Sequence, residues 1–200
     1  KTTDDSAYGG GGGMVMKVEP FFEFFDSYVS KNEEFFVVYP SPQGVAFDSK
    51  KAFEYSKKKN IVFLCGRYEG IDKRVMSFVD EEVSIGDYVL SGAEIPCFIM
   101  IDAISRFCDN VVGNWESVKN DSFFNGLLDH SNFTKPSEYR GMKVPEILTS
   151  GNHSQIDKWR KKDSLIQTML KRPDLFINKE LSKEQKELLI EIFKENYNNA

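Results

Sequence analysis

Ser84-Ile85-Gly86-Asp87-Tyr88-Val89-Leu90-Ser91-Gly92-Ala93-Glu94-Ile95-Pro96 leads into an almost wholly apolar segment that ends at Ser105-Arg106. Two glycines six apart bracket a short apolar run, and glycine lets backbone approach backbone or ligand where a Cβ would clash. Pro96 suits the first turn of a helix, where its missing N–H is not needed. Such a loop offers many main-chain N–H and C=O groups and almost no charged side chains. It fits a flat, neutral, hydrogen-bonding ligand such as an adenine ring, and it does not fit a triphosphate. A tight turn between two core elements would have the same shape, so the stretch alone leaves turn and ligand loop open.

The segments before this loop supply its setting. Glu34 to Tyr39 and Ile61 to Cys65 are short apolar runs of the kind found in buried strands. The first meets Pro40-Ser41-Pro42-Gln43-Gly44, expected to break the strand and form a loop. The second stops at Gly66-Arg67-Tyr68-Glu69-Gly70. Helices are expected over Phe21 to Val29, from an Asp48 cap to about Lys59, and over Ile71 to Phe78. Strand, loop, helix, repeated, is the rhythm of an α/β domain with a parallel sheet. Ligands of such sheets lie beyond the carboxyl ends of the strands. The loops at 39–44, 66–70 and 84–93 are therefore expected to open on one edge. Ahead of them stands Asp4-Asp5-Ser6-Ala7-Tyr8 with the five glycines Gly9 to Gly13. No Gly-Lys-Ser/Thr follows, so this is not a phosphate-binding loop of the Walker type. It reads as a flexible linker or as a mobile loop that closes over substrate.

The 200 residues suffice for one medium domain or two small ones. No apolar run of about 18 residues is present, so no membrane span is expected, and no signal peptide is visible. Cys65, Cys97 and Cys108 lack metal-ligand spacing, and an odd count argues against a disulfide framework. They read as reduced core cysteines of a cytoplasmic protein, and no metal site is expected. The net charge is −5, from 26 basic and 31 acidic residues. The charge is unevenly spread: His130 to Arg172 holds nine basic and four acidic residues, +5 against −10 for the remainder. That asymmetry fits either a localised contact with a polyanion or a solvated helix face.

From Gly113 to about Gly126 the pattern loses its period and reads as an interdomain linker. A helix from Ser154 to Leu170 carries most of the basic side chains. Ser182-Lys183-Glu184-Gln185 is a capping box, and it opens a last helix expected to bury Leu188, Leu189, Ile192 and Phe193. The domains are therefore expected at 1–113, with a linker at 114–126 and a small all-helical domain at 127–200.

Several motifs in order resemble the bacterial tRNA (guanine-N1)-methyltransferases. They are Gly66-Arg67-Tyr68-Glu69-Gly70-Ile71-Asp72, Ser84 to Glu94, Gly126-Leu127-Leu128-Asp129, Phe133-Thr134-Lys135-Pro136, Val144-Pro145 and Leu148-Thr149-Ser150-Gly151-Asn152-His153. The resemblance covers nearly the whole chain. It implies a SPOUT-type parallel α/β sheet with a deep trefoil knot, a helical C-terminal domain that meets tRNA, and a homodimer with composite active sites. It also implies that S-adenosylmethionine is held by Tyr39, Pro40 and Ser41, by Gly66, Tyr68 and Glu69, and by Ser84, Ile85, Gly86, Tyr88, Leu90, Ser91, Gly92 and Ala93. Asp5, Lys158, Arg160, Lys161 and Lys162 are the positions implied for tRNA, and magnesium is left open. The implied reaction is methyl transfer to N1 of the guanine just 3′ of the anticodon, with Asp129 as general base and Arg106 stabilising charge on O6.

The sequence departs from the family at three places. Gly92-Ala93 replaces two glycines, a small change that cofactor binding is expected to survive, and Ala7 replaces a common proline. The family begins with a strand–helix–strand unit ahead of the Asp4-Asp5 region, so further residues are expected before Lys1. Two other readings remain: a SPOUT enzyme acting on another RNA base or on a ribose, of which a ribose methylase would not need Asp129, and a non-catalytic RNA-binding module.

Overall fold

A computed structural model describes residues 2–28, 34–109, 111, 118 and 120–198. The chain divides into two compact units, Lys1–Gly113 and Asn114–Ala200. The linker expected at 114–126 falls partly on residues 114–117 and 119, which lie outside the described residues.

In the first unit, successive side chains of one strand point to opposite faces, and Val37 and Val38 separate two cores. They lie on β3 (Phe36–Ala46), the centre of a parallel sheet flanked by β4 (Ile61–Phe63) and β5 (Glu81–Ser84). Val38 packs with Val83, Ala52, Tyr55, Met100 and Ile104, beneath α2 (Ser49–Tyr55) and α3 (Glu94–Ser105). Val37 packs with Leu64, Val75 and Phe25, beneath α1 (Val18–Tyr28) and the 3-10 helix Lys73–Phe78. Phe25 stacks on Phe78 with ring centroids 4.3 Å apart. Helices thus cover both faces of a parallel sheet, the α/β arrangement expected from the strand–helix rhythm.

Several local expectations need correction. The segment 40–44 does not end the strand. Pro40 and Val45 both pair with Val83, so Ser41 to Gly44 form an excursion after which β3 resumes. Proline supplies no ladder N–H, and Gln43 turns its N–H to Ser41 Oγ instead, at 3.1 Å. The chain returns so close to β5 that a Cβ on Gly44 would stand 2.2 Å from the Val83 nitrogen. Helix α2 begins under the Asp48 cap, which accepts from the Lys51 N–H at 2.8 Å, but stops at Tyr55, short of Lys59. The helix expected from Ile71 is a 3-10 helix that starts at Lys73, where Asp72 caps the Arg74 N–H. The glycine run is the connection of an antiparallel hairpin, β1 (Asp4–Ser6) with β2 (Met14–Met16), rather than a linker.

The second unit is built on α4 (His153–Lys171), α5 (Pro173–Ile177) and α6 (Lys183–Asn198). Leu127, Leu165, Leu188 and Ile192 form its core. The capping box is reciprocal: the Ser182 N–H donates to Gln185 Oε1 at 2.9 Å, and the Gln185 N–H donates to Ser182 Oγ at 3.2 Å. Two expectations fail here. Phe193 is 57% exposed rather than buried. The unit is also not all-helical, since β6 (Glu138–Tyr139) and β7 (Met142–Lys143) form a short hairpin.

One polar cluster ties α2 to the sheet. Burial alone would raise the Glu81 carboxyl, but hydrogen bonds from Lys51 and Tyr55 outweigh it and hold it below its ordinary value of 4.5. The unfolded chain therefore takes up this proton first as pH falls. The stabilisation is present above about pH 4.5 and is lost as pH drops through the lowered folded value. Denaturant unfolding followed from pH 6 to 3 is expected to show this loss, and Glu81→Gln is expected to flatten that part of the profile.

Candidate functional site

Beyond the carboxyl ends of β3, β4 and β5 the three loops enclose a cleft of about 430 Å³. Tyr39, Pro40 and Ser41 line it from the first loop, and Gly66, Tyr68 and Glu69 from the second. Ser84, Ile85, Gly86, Tyr88, Leu90, Ser91, Gly92 and Ala93 line it from the third. All the positions singled out in the sequence for a cofactor therefore meet in one place. The volume lies within the roughly 300–1,000 Å³ usual for small-molecule sites. Sequence reading did not assign Gln43, Arg67, Lys73 and Glu82 to the site, yet they also face the cleft; Gln43 and Arg67 stand within the loops at 39–44 and 66–70, whereas no motif marks Lys73 or Glu82.

Backbone bonds hold the loops in place. The Ala93 N–H donates to the Gly66 carbonyl at 2.9 Å, and Arg67 and Gly92 form an isolated antiparallel bridge beside it. Arg67 Nε donates to Glu94 Oε1 at 2.8 Å across the rim. The Glu94 carboxyl is held below its ordinary range by its own backbone N–H and then by Arg67. Gly86 has φ +149°, and a Cβ there would come within 2.4 Å of the Tyr88 ring, so the glycine is required. The Tyr88 hydroxyl donates to the Ile85 carbonyl at 3.2 Å, which folds the third loop back on itself. Tyr68 adopts φ 59° at the tip of the second loop, a left-handed conformation that costs a non-glycine residue of order 1 kcal/mol and recurs at ligand sites. β2 braces this loop: Met14 accepts from the Glu69 N–H, and the Met16 N–H donates to Gly70. Asp5 lies on β1, exposed, and is not part of the cleft lining.

Beneath the cleft, Cys65 Sγ and Cys97 Sγ are 3.3 Å apart, and burial pushes the Cys97 thiol up. All three cysteines are free.

Arg106 is exposed at the far end of α3 from the cleft. Ten residues separate it from Pro96, which lines the cleft, and this corresponds to ~15 Å of helix rise. Arg106 therefore does not join the cleft lining of its own chain.

Asp129 lies in the second unit, half-buried, on a segment gripped by α4. Thr168 Oγ1 accepts from the Leu128 N–H at 2.9 Å, and Ser164 Oγ donates to the Leu128 carbonyl. Asp163 Oδ2 accepts from the Ser131 N–H at 2.6 Å. The carboxylate of Asp129 receives the His130 N–H at 2.7 Å on Oδ1 and the Asn132 amide at 3.3 Å on Oδ2. His130 Nε2 stands 3.7 Å from Oδ1. The basic helix is less bare than its sequence suggests. Lys158, Lys161 and Lys162 pair with Glu191, Glu184 and Glu195 of α6, and Arg160 lies 3.9 Å from Asp157. Among the described residues no group of three or more His, Cys, Asp or Glu side chains is arranged to hold a metal ion, and no helix is long and apolar enough to cross a membrane.

A parallel sheet with helices on both faces and a three-loop cleft at its carboxyl edge defines an α/β small-molecule-binding domain. Comparison with known proteins gives its family. The family model described as tRNA (Guanine-1)-methyltransferase TrmD matches residues 1–178. A tRNA (guanine-N(1)-)-methyltransferase of Thermotoga petrophila is 54% identical over 195 residues, 98% of this chain and 79% of the relative. One from Thermosipho melanesiensis is 50% identical over 200 residues, covering 100% and 81%. One from Desulforamulus reducens is 50% identical over 194 residues, covering 96% and 76%. The chain belongs to the tRNA (guanine-N1)-methyltransferase family.

Thr168 is fully buried and bonded on both sides, donating to the Ser164 carbonyl at 2.7 Å. Thr168→Val keeps the shape but strands the Leu128 N–H. Thermal or denaturant unfolding is expected to show a loss of about 1–3 kcal/mol, and an unchanged midpoint would show that this bond does not hold the Asp129 segment.

Proposed function

We propose that the chain transfers a methyl group from S-adenosylmethionine to N1 of the guanine immediately 3′ of the tRNA anticodon. The observation that carries this reading is the meeting of all three family-matching loops in one cleft at the carboxyl edge of the sheet. The cleft fits the cofactor in kind. Main-chain groups of residues 84–93 suit a neutral adenine edge, and Glu69 and Glu82 offer negative charge to a sulfonium and an amino group. When bound, the cofactor supplies an electrophilic methyl carbon.

The chain's own residues would then do three things. N1 of guanine carries a proton at neutral pH, so its lone pair must be freed. Asp129 is the general base, held by His130 and Asn132, and such a base contributes roughly 10²–10⁴-fold. Loss of that proton shifts negative charge toward O6, and Arg106, a permanent cation, stabilises it there. The cleft loops align donor and base, which is what a transfer without further activation needs.

The placement of Arg106 supports a site shared between two copies, because it stands at the far end of α3 from its own cleft. The exposed apolar side chains of α3 support the same homodimer. Phe98 is 70% and Ile95 61% exposed, with Ile99 and Ile101 also open, and such a face is normally covered by a partner. A deep trefoil knot in 1–113, a tRNA-binding role for 127–200 with Arg160 and the α4 lysines at the phosphates, a contact from Asp5, and a cytoplasmic location complete the reading.

Asp129→Ala is expected to lower single-turnover methylation by roughly 10²–10⁴-fold, while calorimetry still registers S-adenosylmethionine binding. Normal turnover in the variant would remove Asp129 from the mechanism.

A further inference from the structure

The second unit holds a separate cavity of about 900 Å³, lined by the loop after Asp129, by Val144, Leu148 and Thr149, and by α4. Phe133, His130 and Trp159 supply its rings. Trp159 meets His130 at 62° and Phe133 at 60°, with centroids 6.5 and 6.2 Å apart. These rings touch edge to face, so none of them stacks flat on another. Phe133 is 49% exposed. Lys135, Arg160 and His153 also line the cavity, with the polar Ser131, Asn132 and Thr134, and no carboxylate does. In a chain of net charge −5, a cavity with two cations and no lining acid selects for an anion. Arg160 has Asp157 3.9 Å away, a long and exposed pair that is therefore weak. Rings open to stacking beside cations and amide or hydroxyl groups are how single-stranded nucleotides are held.

We propose that this cavity is a subsite for the nucleotide adjoining the target guanine. Its base lies against Phe133 and Trp159, and its phosphate meets Lys135 and Arg160. The inference rests on the proposed function, since it takes the target base to lie at Asp129. The link is His130, which lines the cavity and donates its N–H to the Asp129 carboxylate at 2.7 Å. A strand that brings its guanine to Asp129 must bring a neighbouring nucleotide past His130. The stacking would also hold the target base out of its own stack, a step that enzymes acting on bases require.

The test uses tRNA with a single abasic residue on the 5′ or the 3′ side of the target guanine. Binding and single-turnover methylation are measured with the wild type, Trp159→Leu and Phe133→Leu. Phe133 is half exposed, so its substitution keeps the test decisive should Trp159→Leu fail to fold. The expected result is that Phe133→Leu weakens binding of intact tRNA roughly 5- to 100-fold yet scarcely changes binding of the tRNA that is abasic on one particular side. Equal weakening of intact and both abasic tRNAs, or no weakening at all, would overturn the subsite while leaving methylation of intact tRNA by the wild type in place. Failure of the wild type to methylate intact tRNA would instead take down the proposed function and the subsite with it.

Discussion

The bond from the Ala93 N–H to the Gly66 carbonyl, at 2.9 Å, is the constraint on which the cleft depends. Parallel strands leave their carboxyl-end loops free to diverge, because the sheet pairs strands and not loops. Here one main-chain bond ties the second loop to the start of α3, and the bridge of Arg67 with Gly92 extends it. The first loop is fixed by the same economy of backbone contact. β3 leaves its ladder at Pro40 and rejoins it at Val45 opposite the same Val83, with Gly44 against the β5 backbone. The result is a cleft in which closely held loop backbone stands beside the charged Arg67, Glu69, Lys73 and Glu82.

Much of this was legible in the residues. The apolar runs at 36–39 and 61–63, the loops after them and the Asp48 cap all follow from short-range rules, and the parallel sheet follows from their order. What the sequence hid was non-local. Pro40-Ser41-Pro42 reads locally as the end of a strand, and only pairing with β5, some forty residues away, shows that the strand resumes. The buried face of α6 was misjudged at Phe193: Leu188 and Ile192 pack with Leu127 and Leu165, while Phe193 stays exposed. The aromatic cavity was not legible because Phe133, in one family motif, and Trp159, on α4, are far apart in sequence and only the fold brings their rings together.

Charge shows the same limit. A count of basic residues over His130 to Arg172 suggests an open cationic helix, but α6 returns Glu184, Glu191 and Glu195 to three of its lysines. The helix is also a frame: Asp163, Ser164 and Thr168 seize the backbone at Leu128 and Ser131. Of the basic groups outside the α6 pairing, Lys135 and Arg160 line the aromatic cavity. What packs against the helix thus decides which of its charges are paired within the protein, which no linear count can show.

The central proposal is that the chain, with Asp129 as base and the three-loop cleft as cofactor site, methylates one guanine. Incubation with radiolabelled S-adenosylmethionine and unmodified tRNA, followed by nuclease digestion and mass spectrometry of the labelled fragment, tests it most directly. The account predicts 1-methylguanosine at the single position 3′ of the anticodon. Label on a ribose, on another base, or on no nucleotide would contradict it.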